Sequence, residues 1–383
     1  MLAPPGLKLA TEWHPLVSLA EVAEPWRALA ARAAEPNVFY EPAFALAAAP
    51  VFGADAGAIL VWSRATPRHL IGLVPLRIEP RRYGIPFPLL AGWTHPFAPL
   101  GVPLIDRDQV AAVVGAVLDH VASDPALPSV IVLPFISDTG TFACELHRSL
   151  AQRGGHFAAF GAHSRAMLAP GKNRADDLDH VLGSKKRKDL ARQRRRLAET
   201  GALRLDLGGA PTIASALQAF LDLEARGWKG RAGTAAAQHR AIEAFLRQAV
   251  SGLAAEGKAR GARLVLDEHP IAAALTLSSG DAAWFWKIAY DEDVARASPG
   301  VQLALDLTAA FLADRAVARV DSCATPDHPM IDHIWRERLT LADYLISVDP
   351  RASFGFALAC RLEGIRRALI VVARRTRDLV RGR

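Results

Sequence analysis

The spacing of apolar positions changes along this chain, and the order of the changes occurs twice. Residues 57–61 and 70–76 read as two strands of a hairpin, with turn-type residues around Arg64 to Arg68 between them. Residues 261–265 and 270–277 repeat the pattern, with a turn at Asp267 to His269. After the first hairpin come a helical period over 109–121, a strand at 129–133 and a helix over 141–153. After the second come a helix over 301–313, a strand at 318–322, a helical stretch from about Met330 and a strand at 344–348. A repeat with a period of roughly two hundred residues predicts a duplicated domain rather than a solenoid.

Two further segments have helical spacing but few apolar positions. From Ser184 to Glu199 the large apolar residues are Leu190 and Leu197, seven apart, which predicts a helix with one narrow apolar seam. Near the C-terminus Leu358, Leu362, Ile365, Leu369 and Val372 recur every three or four positions among arginines. That is a basic amphipathic helix, expected either to pack its apolar face on its own domain or to lie on an anionic membrane surface.

Charge sharpens this picture. The net charge is +7, and residues 351–383 carry nine Arg against Glu363 and Asp378, which matches the whole excess. Residues 185–196 hold eight cations and one anion, so the rest of the chain is acidic on balance. The segment reads either as a soluble connecting helix or as a cationic rail for a phosphate-rich ligand, a nucleotide end or RNA. It has no interleaved aromatic residue, which argues against base stacking there.

Composition limits the remaining classes. At 383 residues with half of them hydrophobic, two domains are expected. No apolar run has the length of a membrane span, and Met1-Leu-Ala-Pro-Pro-Gly lacks the order of a signal peptide. Cys144, Cys323 and Cys360 are odd in number and far apart, which fits a reducing cytoplasm. Without metal-ligand spacings, no metal site is expected.

The chemistry concentrates in the second half. Trp284, Trp286 and Ile288 have a strand period, and Tyr290-Asp291 leads through a short loop to Ser298-Pro299-Gly300. Ser298 suits a helix cap, Pro299 the first turn, and Gly300 a close approach of ligand to backbone. A helix start of this kind presents free N–H groups to an anion such as a pyrophosphate; the alternative is an ordinary strand–loop–helix connection. Lys229 and Arg231 sit in a Gly-rich loop beside Trp228, which reads either as core plus linker or as an acceptor-binding element.

The order of these motifs carries a resemblance. Leu223-Glu-Ala-Arg-Gly227-Trp228-Lys229-Gly230 with Gly233-Thr234-Ala235, then Trp286 to Asp291, Ser298 to Gly300, Asp321-Ser-Cys-Ala324 and Ile334-Trp335 resemble the acetyltransferase-like domain of the GNAT superfamily over about residues 175–350. Within it they resemble the CelD-type proteins associated with cellulose biosynthesis. The first half resembles the degenerate first GNAT domain of Fem-type aminoacyltransferases. The resemblance implies an α/β (α+β) fold of tandem GNAT-like domains, each a mixed, mostly antiparallel sheet flanked by helices. The expected division is a degenerate domain over 1–175, a basic connecting helix over 176–200, an acyltransferase domain over 201–350 and an Arg-rich tail over 351–383.

The resemblance also implies a donor, acyl-CoA such as acetyl-CoA, bound as co-substrate with no permanent cofactor. A splayed strand with Trp286 and Lys287, and the helix start with Ser298, Gly300, Val301 and Gln302, are its expected binding residues, with Arg296 nearby. The family's donor loop is usually richer in Arg/Gln and Gly than this Ser-Pro-Gly. The first half, with His95 to Gly101 at the equivalent place, lacks such a helix start and is expected to shape an acceptor cleft. Direct acyl transfer needs a base for the acceptor and donors for the thioester oxygen. The candidates are Asp321, His328 and Asp332, with His333 beside them, as base, and Tyr290 as proton donor to a leaving thiolate. Trp228, Lys229, Arg231 and Asp291 are the candidate acceptor contacts. Asp321 serves equally as a turn cap, and Cys323 near His328 is less supported as a nucleophile.

Three functions follow from these readings: an N- or O-acyltransferase acting on a small-molecule, sugar or lipid-linked acceptor of the cell envelope or a polysaccharide pathway; an aminoacyl-tRNA-dependent transferase of the Fem type; and a non-catalytic binding protein at a membrane face. The expected location is the cytoplasm, peripheral to the inner membrane face through the C-terminal tail.

Overall fold

The computed structural model describes residues 9–64, 66–170 and 184–380. The strands are β1 (Leu9–Pro15), β2 (Ala56–Ser63), β3 (Leu70–Glu79), β4 (Leu89–Gly92), β5 (Leu104–Ile105), β6 (Val130–Ser137), β7 (His156–Leu168), β8 (Leu203–Gly208), β9 (Ala259–Leu266), β10 (His269–Ser279), β11 (Ala282–Tyr290), β12 (Arg319–Asp321) and β13 (Glu337–Ser347). The helices are α1 (Ala23–Ala31), α2 (Pro42–Phe52), α3 (Val110–Ser123), α4 (Thr141–Arg153), α5 (Ser184–Thr200), α6 (Ala210–Arg226), α7 (Arg240–Ala255), α8 (Pro299–Ala313) and α9 (Ser353–Val380).

These elements form two compact units that are not contiguous in sequence. Unit 1 holds residues 1–40, 52–163 and 340–383; unit 2 holds 41–51 and 164–339. The contiguous division expected at 175 and 350 differs from this in two ways. Residues 340–383 belong with the first half of the chain, and residues 41–51 with the second. The expected boundary at 175/176 and the first part of the expected connecting helix lie outside the described residues.

The two units share one strand pattern. In unit 1, β1, β2, β3 and β4 pair antiparallel in turn, β4 pairs parallel with β6, and β6 pairs antiparallel with β13. In unit 2, β8, β9, β10 and β11 pair antiparallel in turn, β11 pairs parallel with β12, and β12 pairs antiparallel with the end of β7. Each is a mixed, mostly antiparallel sheet with helices, so the duplication read from the hydrophobic pattern is a duplication of topology. Strands β2, β10 and β11 are apolar in almost continuous runs because both of their faces are covered.

Unit 1 is tied together by buried aromatics whose polar ends find carbonyls. Trp26 Nε1 donates to Tyr40 O at 2.8 Å, Tyr40 Oη to Trp93 O at 2.6 Å, and Trp93 Nε1 to Phe52 O at 2.8 Å. In unit 2 one core lies under α8 and includes Leu264, Phe285, Leu303, Leu307 and Trp335. On the other face Phe44 of α2 meets the rings of Phe245 and Trp286 edge-on.

Helix α5 is part of unit 2. Leu190 and Leu197, its narrow seam, are buried in the core under α8, and Arg194 bonds Asp306 of α8 at 2.9 Å. The helical stretch expected from Met330 is shorter than its pattern suggests: a single 3-10 turn, Ile331–His333, precedes β13.

Candidate active site at a parting of two strands

Strand β11 pairs with β10 along its whole length, from Ala282 opposite Ser279 to Tyr290 opposite Ala272. The register shifts between Leu275 and Thr276, so Trp286 is the extra residue of a bulge between Phe285 and Lys287. On its other edge β11 pairs with β12 only at Ala282, Ala283 and Trp284. β12 ends at Asp321, whereas β11 runs on for six residues. Among the described residues no strand pairs with this edge of β11 beyond Trp284, which leaves a gap in the strand pairing there.

The equivalent place in unit 1 is closed. There β4 and β6 pair in parallel only at Leu90 and Ala91, opposite Ile131 and Val132. Beyond them Gly101 N donates to Phe135 O at 3.1 Å. A Cβ on Gly101 would lie 2.0 Å from Pro134 O, so only glycine permits this close packing. The chain after β4 packs directly against β6 there.

Helix α8 starts just after β11. Its preceding residue Ser298 lies in the left-handed region (φ 51°, ψ 48°) and makes no side-chain cap hydrogen bond, contrary to the cap expected there. Its carbonyl accepts from Gln302 N at 3.0 Å. Pro299 has no N–H to lose, so the first-turn N–H groups belong to Gly300 and Val301. Gly300 is buried, and a Cβ there would come 3.1 Å from Tyr290 Cδ1. The glycine therefore makes room for the Tyr290 ring. Gln302 is buried with Nε2 donating to Ala297 O at 2.6 Å, and its Oε1 has no protein partner among the described residues. Val301 packs against the core under α8, while Arg296 is exposed on the preceding turn.

Lys287 is the most perturbed cation near the gap. Burial lowers its pKa, the charge of Lys229 lowers it further, and Cys323 and Glu224 oppose, leaving it at about 8. Its ammonium lies 5.6 Å from the Trp286 ring centre. Burial and the neighbouring Asp321 raise the Cys323 thiol well above its ordinary value, which removes the thiolate that nucleophilic catalysis needs. Cys323 itself holds a left-handed φ of 52°.

Asp321 is not a free base. Its Oδ2 accepts from Arg165 Nη2 at 2.5 Å and its Oδ1 from Cys323 N at 2.9 Å. It pairs a buried guanidinium and also closes the turn after β12, as its alternative reading required. His328 and Asp332 lie further along that loop. His328 Nδ1 accepts from Met330 N at 3.3 Å, and burial lowers its pKa against the opposing effect of Asp332. Asp332 Oδ2 lies 3.8 Å from Arg338, and His333 is exposed.

The expected acceptor contacts divide into two groups. Arg231 bonds Glu292 at 2.6 Å, and Trp228 N donates to the same carboxylate at 2.8 Å. Asp291 Oδ1 accepts from Asp293 N, capping the Glu292–Ala297 turn. The Trp228 side chain is 61% exposed and so is no core residue. Lys229 instead turns toward Glu224, at 2.6 Å, and joins the Lys287 surroundings.

Two residues of the site have no place among the sequence candidates. Glu224 is buried and holds both Lys229 Nζ and Ala236 N, pinning the two ends of the Gly-rich loop. Its position five residues before Lys229 in a helical run was an available signal. Arg165 carried none, because only the fold of β7 beside β12 gives it a partner.

Residues 184–328 match the family model of an acetyltransferase (GNAT) domain. The fold is similar to that of FemX, with a TM-score of 0.56 and 12% identity over 85% of this chain and 95% of that one. It is also similar to a conserved protein of unknown function from Bacteroides thetaiotaomicron, with a TM-score of 0.55 and 12% identity over 89% of this chain and 100% of that one. A third similar structure is the C-terminal domain of a putative lysylphosphatidylglycerol synthetase from Agrobacterium fabrum, with a TM-score of 0.52 and 13% identity over 91% and 96% of the two chains. No curated protein matches the sequence. Residues 184–328 thus match an acetyltransferase (GNAT) domain, and the chain shares the fold of FemX.

Proposed function

We propose that the protein is an acyltransferase that takes its acyl group from acyl-CoA and gives it to an amine or hydroxyl. The observation that carries this reading is the parting of β11 from β12 after Trp284. An extended amide-bearing chain such as pantetheine would lie along the edge of β11 beyond Trp284, where no described strand pairs. The N–H groups of Gly300 and Val301 suit its pyrophosphate. Exposed Lys188, Arg192, Arg195 and Arg196 on α5, which packs on the Glu292–Ala297 turn, add positive charge on that side.

In the reaction the acceptor's N or O attacks the thioester carbonyl, the C–S bond breaks, the acceptor loses a proton and the thiolate gains one. Lys287, neutral above about pH 8, takes the acceptor's proton. The open β11 edge steadies the carbonyl oxygen. Tyr290, packed on Gly300, returns a proton to the leaving sulfur. Asp321 holds Arg165 rather than serving as the base. The likenesses to FemX and to the lysylphosphatidylglycerol synthetase domain support an acceptor of the cell envelope.

Calorimetric titration with acetyl-CoA and longer acyl-CoAs tests the donor. Micromolar binding, lost in Gly300→Trp, is the expected result; no binding to any acyl-CoA overturns the reading. The likeness to FemX favours a second donor, aminoacyl-tRNA, with α5 as its phosphate contact. Strong tRNA affinity that falls steeply with salt, together with no acyl-CoA binding, would select it.

A further inference from the structure

The period of Leu358, Leu362, Ile365, Leu369 and Val372 in helix α9 leaves two readings open, an apolar face packed on its own domain or one laid on a membrane surface. The side turned to the domain is a different one: Phe356, Ala359 and Cys360 pack with Leu89, Val130 and Leu345, and the charged Glu363 is completely buried. Glu363 accepts from Arg82 at 3.1 Å and from Arg367 at 2.8 Å, and Arg367 also bonds Asp343 at 2.5 Å.

The opposite meridian points outward. Phe354, Ile365, Leu369 and Val372 are 83, 58, 64 and 59% exposed. Spacings of eleven, four and three residues put them on one line of a helix. Arg361 lies on the same line and Arg375 one turn beyond Val372, both exposed. The only acids between Ser353 and Val380 are Glu363, which is turned inward, and Asp378.

We propose that this outward face of α9 docks on an anionic lipid surface. Four large apolar side chains in line provide shallow insertion, and the arginines among them reach anionic headgroups by extending past their own stems. A second copy of the chain is a poorer occupant, because a two-fold contact on this face would bring the same exposed arginines together. No described helix is long and apolar enough to cross a membrane. α9, at about 42 Å for its length, therefore lies along the surface.

Flotation of the full chain with vesicles of phosphatidylcholine, with and without about one-third phosphatidylglycerol, tests this. The expected result is at least ~10-fold more protein on the anionic vesicles, reduced by salt. Ile365→Glu/Leu369→Glu is expected to lose ~10-fold or more of that binding with an unchanged melting temperature, since both positions are exposed. Arg361→Gln/Arg375→Gln, which keeps the apolar line, is expected to lose the preference for anionic lipid. Equal binding to both vesicle types, no binding, or binding untouched by Ile365→Glu/Leu369→Glu overturns the proposal. A dimer in solution that this double variant converts to monomer also overturns it, in favour of a contact between copies.

Discussion

Arg165 and Asp321, 156 residues apart in the chain, meet as a buried ion pair, Nη2 to Oδ2 at 2.5 Å, where β12 ends and its pairing with β11 stops. The pair fixes the end of β7 to the end of β12, and so fixes one wall of the gap. Removing one partner leaves the other charged in a buried place. Arg165→Leu and Asp321→Asn are each expected to cost about 3–5 kcal/mol in urea unfolding. The double variant Arg165→Leu/Asp321→Leu should lie closer to the parent than either single change. An Asp321→Asn protein as stable as the parent but devoid of transferase activity would instead make Asp321 the base.

Lys287 offers a titration readable without a substrate. Selectively labelled lysine should show one amine titrating near pH 8, absent in Lys287→Met. Lys229→Met removes a repelling charge and should raise that pKa, while Glu224→Gln removes an attracting one and should lower it. The folded value lies below the ordinary 10.5, so between about pH 8 and 10.5 the unfolded chain holds a proton the folded chain lacks. Stability should therefore rise with pH across that window, and less so in Lys287→Met. A lysine titrating at its ordinary value would remove the proposed base.

Glu224 closes the Gly-rich loop by bonding Lys229 Nζ at 2.6 Å and Ala236 N at 2.8 Å. Glu224→Ala leaves that buried N–H without its acceptor, an expected loss of about 1–3 kcal/mol. Amide exchange should quicken over residues 227–236 more than elsewhere. Uniform exchange across α6 and the loop would show that Glu224 does not set the loop.

Much of this architecture is legible in the sequence because it rests on local period. Strands β2, β3, β9 and β10 and helices α3, α4 and α8 follow their apolar spacing, and so does the duplication. What escapes is what depends on partners distant in the chain. The apolar spacing around Tyr344 gives the strand but not its partner β6, some 210 residues earlier. The Ser-Pro-Gly sequence suggests a capped helix, yet Ser298 takes a left-handed conformation and Gly300 accommodates Tyr290. Asp321 reads as a base until Arg165 is seen against it. Lys287 reads as a donor contact; its lowered pKa comes from burial and from Lys229, which only the fold brings near it.

The buried carboxylate of α9 gives the last test. Glu363 is surrounded by Arg82, Arg366 and Arg367. Burial pushes its carboxyl up, and the three guanidiniums more than offset this, so its pKa lies below the ordinary 4.5. A carboxylate with a depressed folded pKa stabilises fully above the unfolded value, and that stability is lost as pH falls through the folded one. At neutral pH Glu363→Gln should cost about 3 kcal/mol, since Arg82 and Arg367 keep Glu79 and Asp343 as second partners. As pH falls below the ordinary 4.5, the parent should lose melting temperature faster than Glu363→Gln, and the two curves should converge. Parallel curves would mean that the carboxylate does not hold α9. Because Ile365, Leu369 and Val372 face outward, nothing apolar on that side replaces the ion pairs once they are gone. The helix that carries the proposed lipid-facing line is thus held to its own unit by the Glu363 ion pairs together with the packing of Phe356, Ala359 and Cys360.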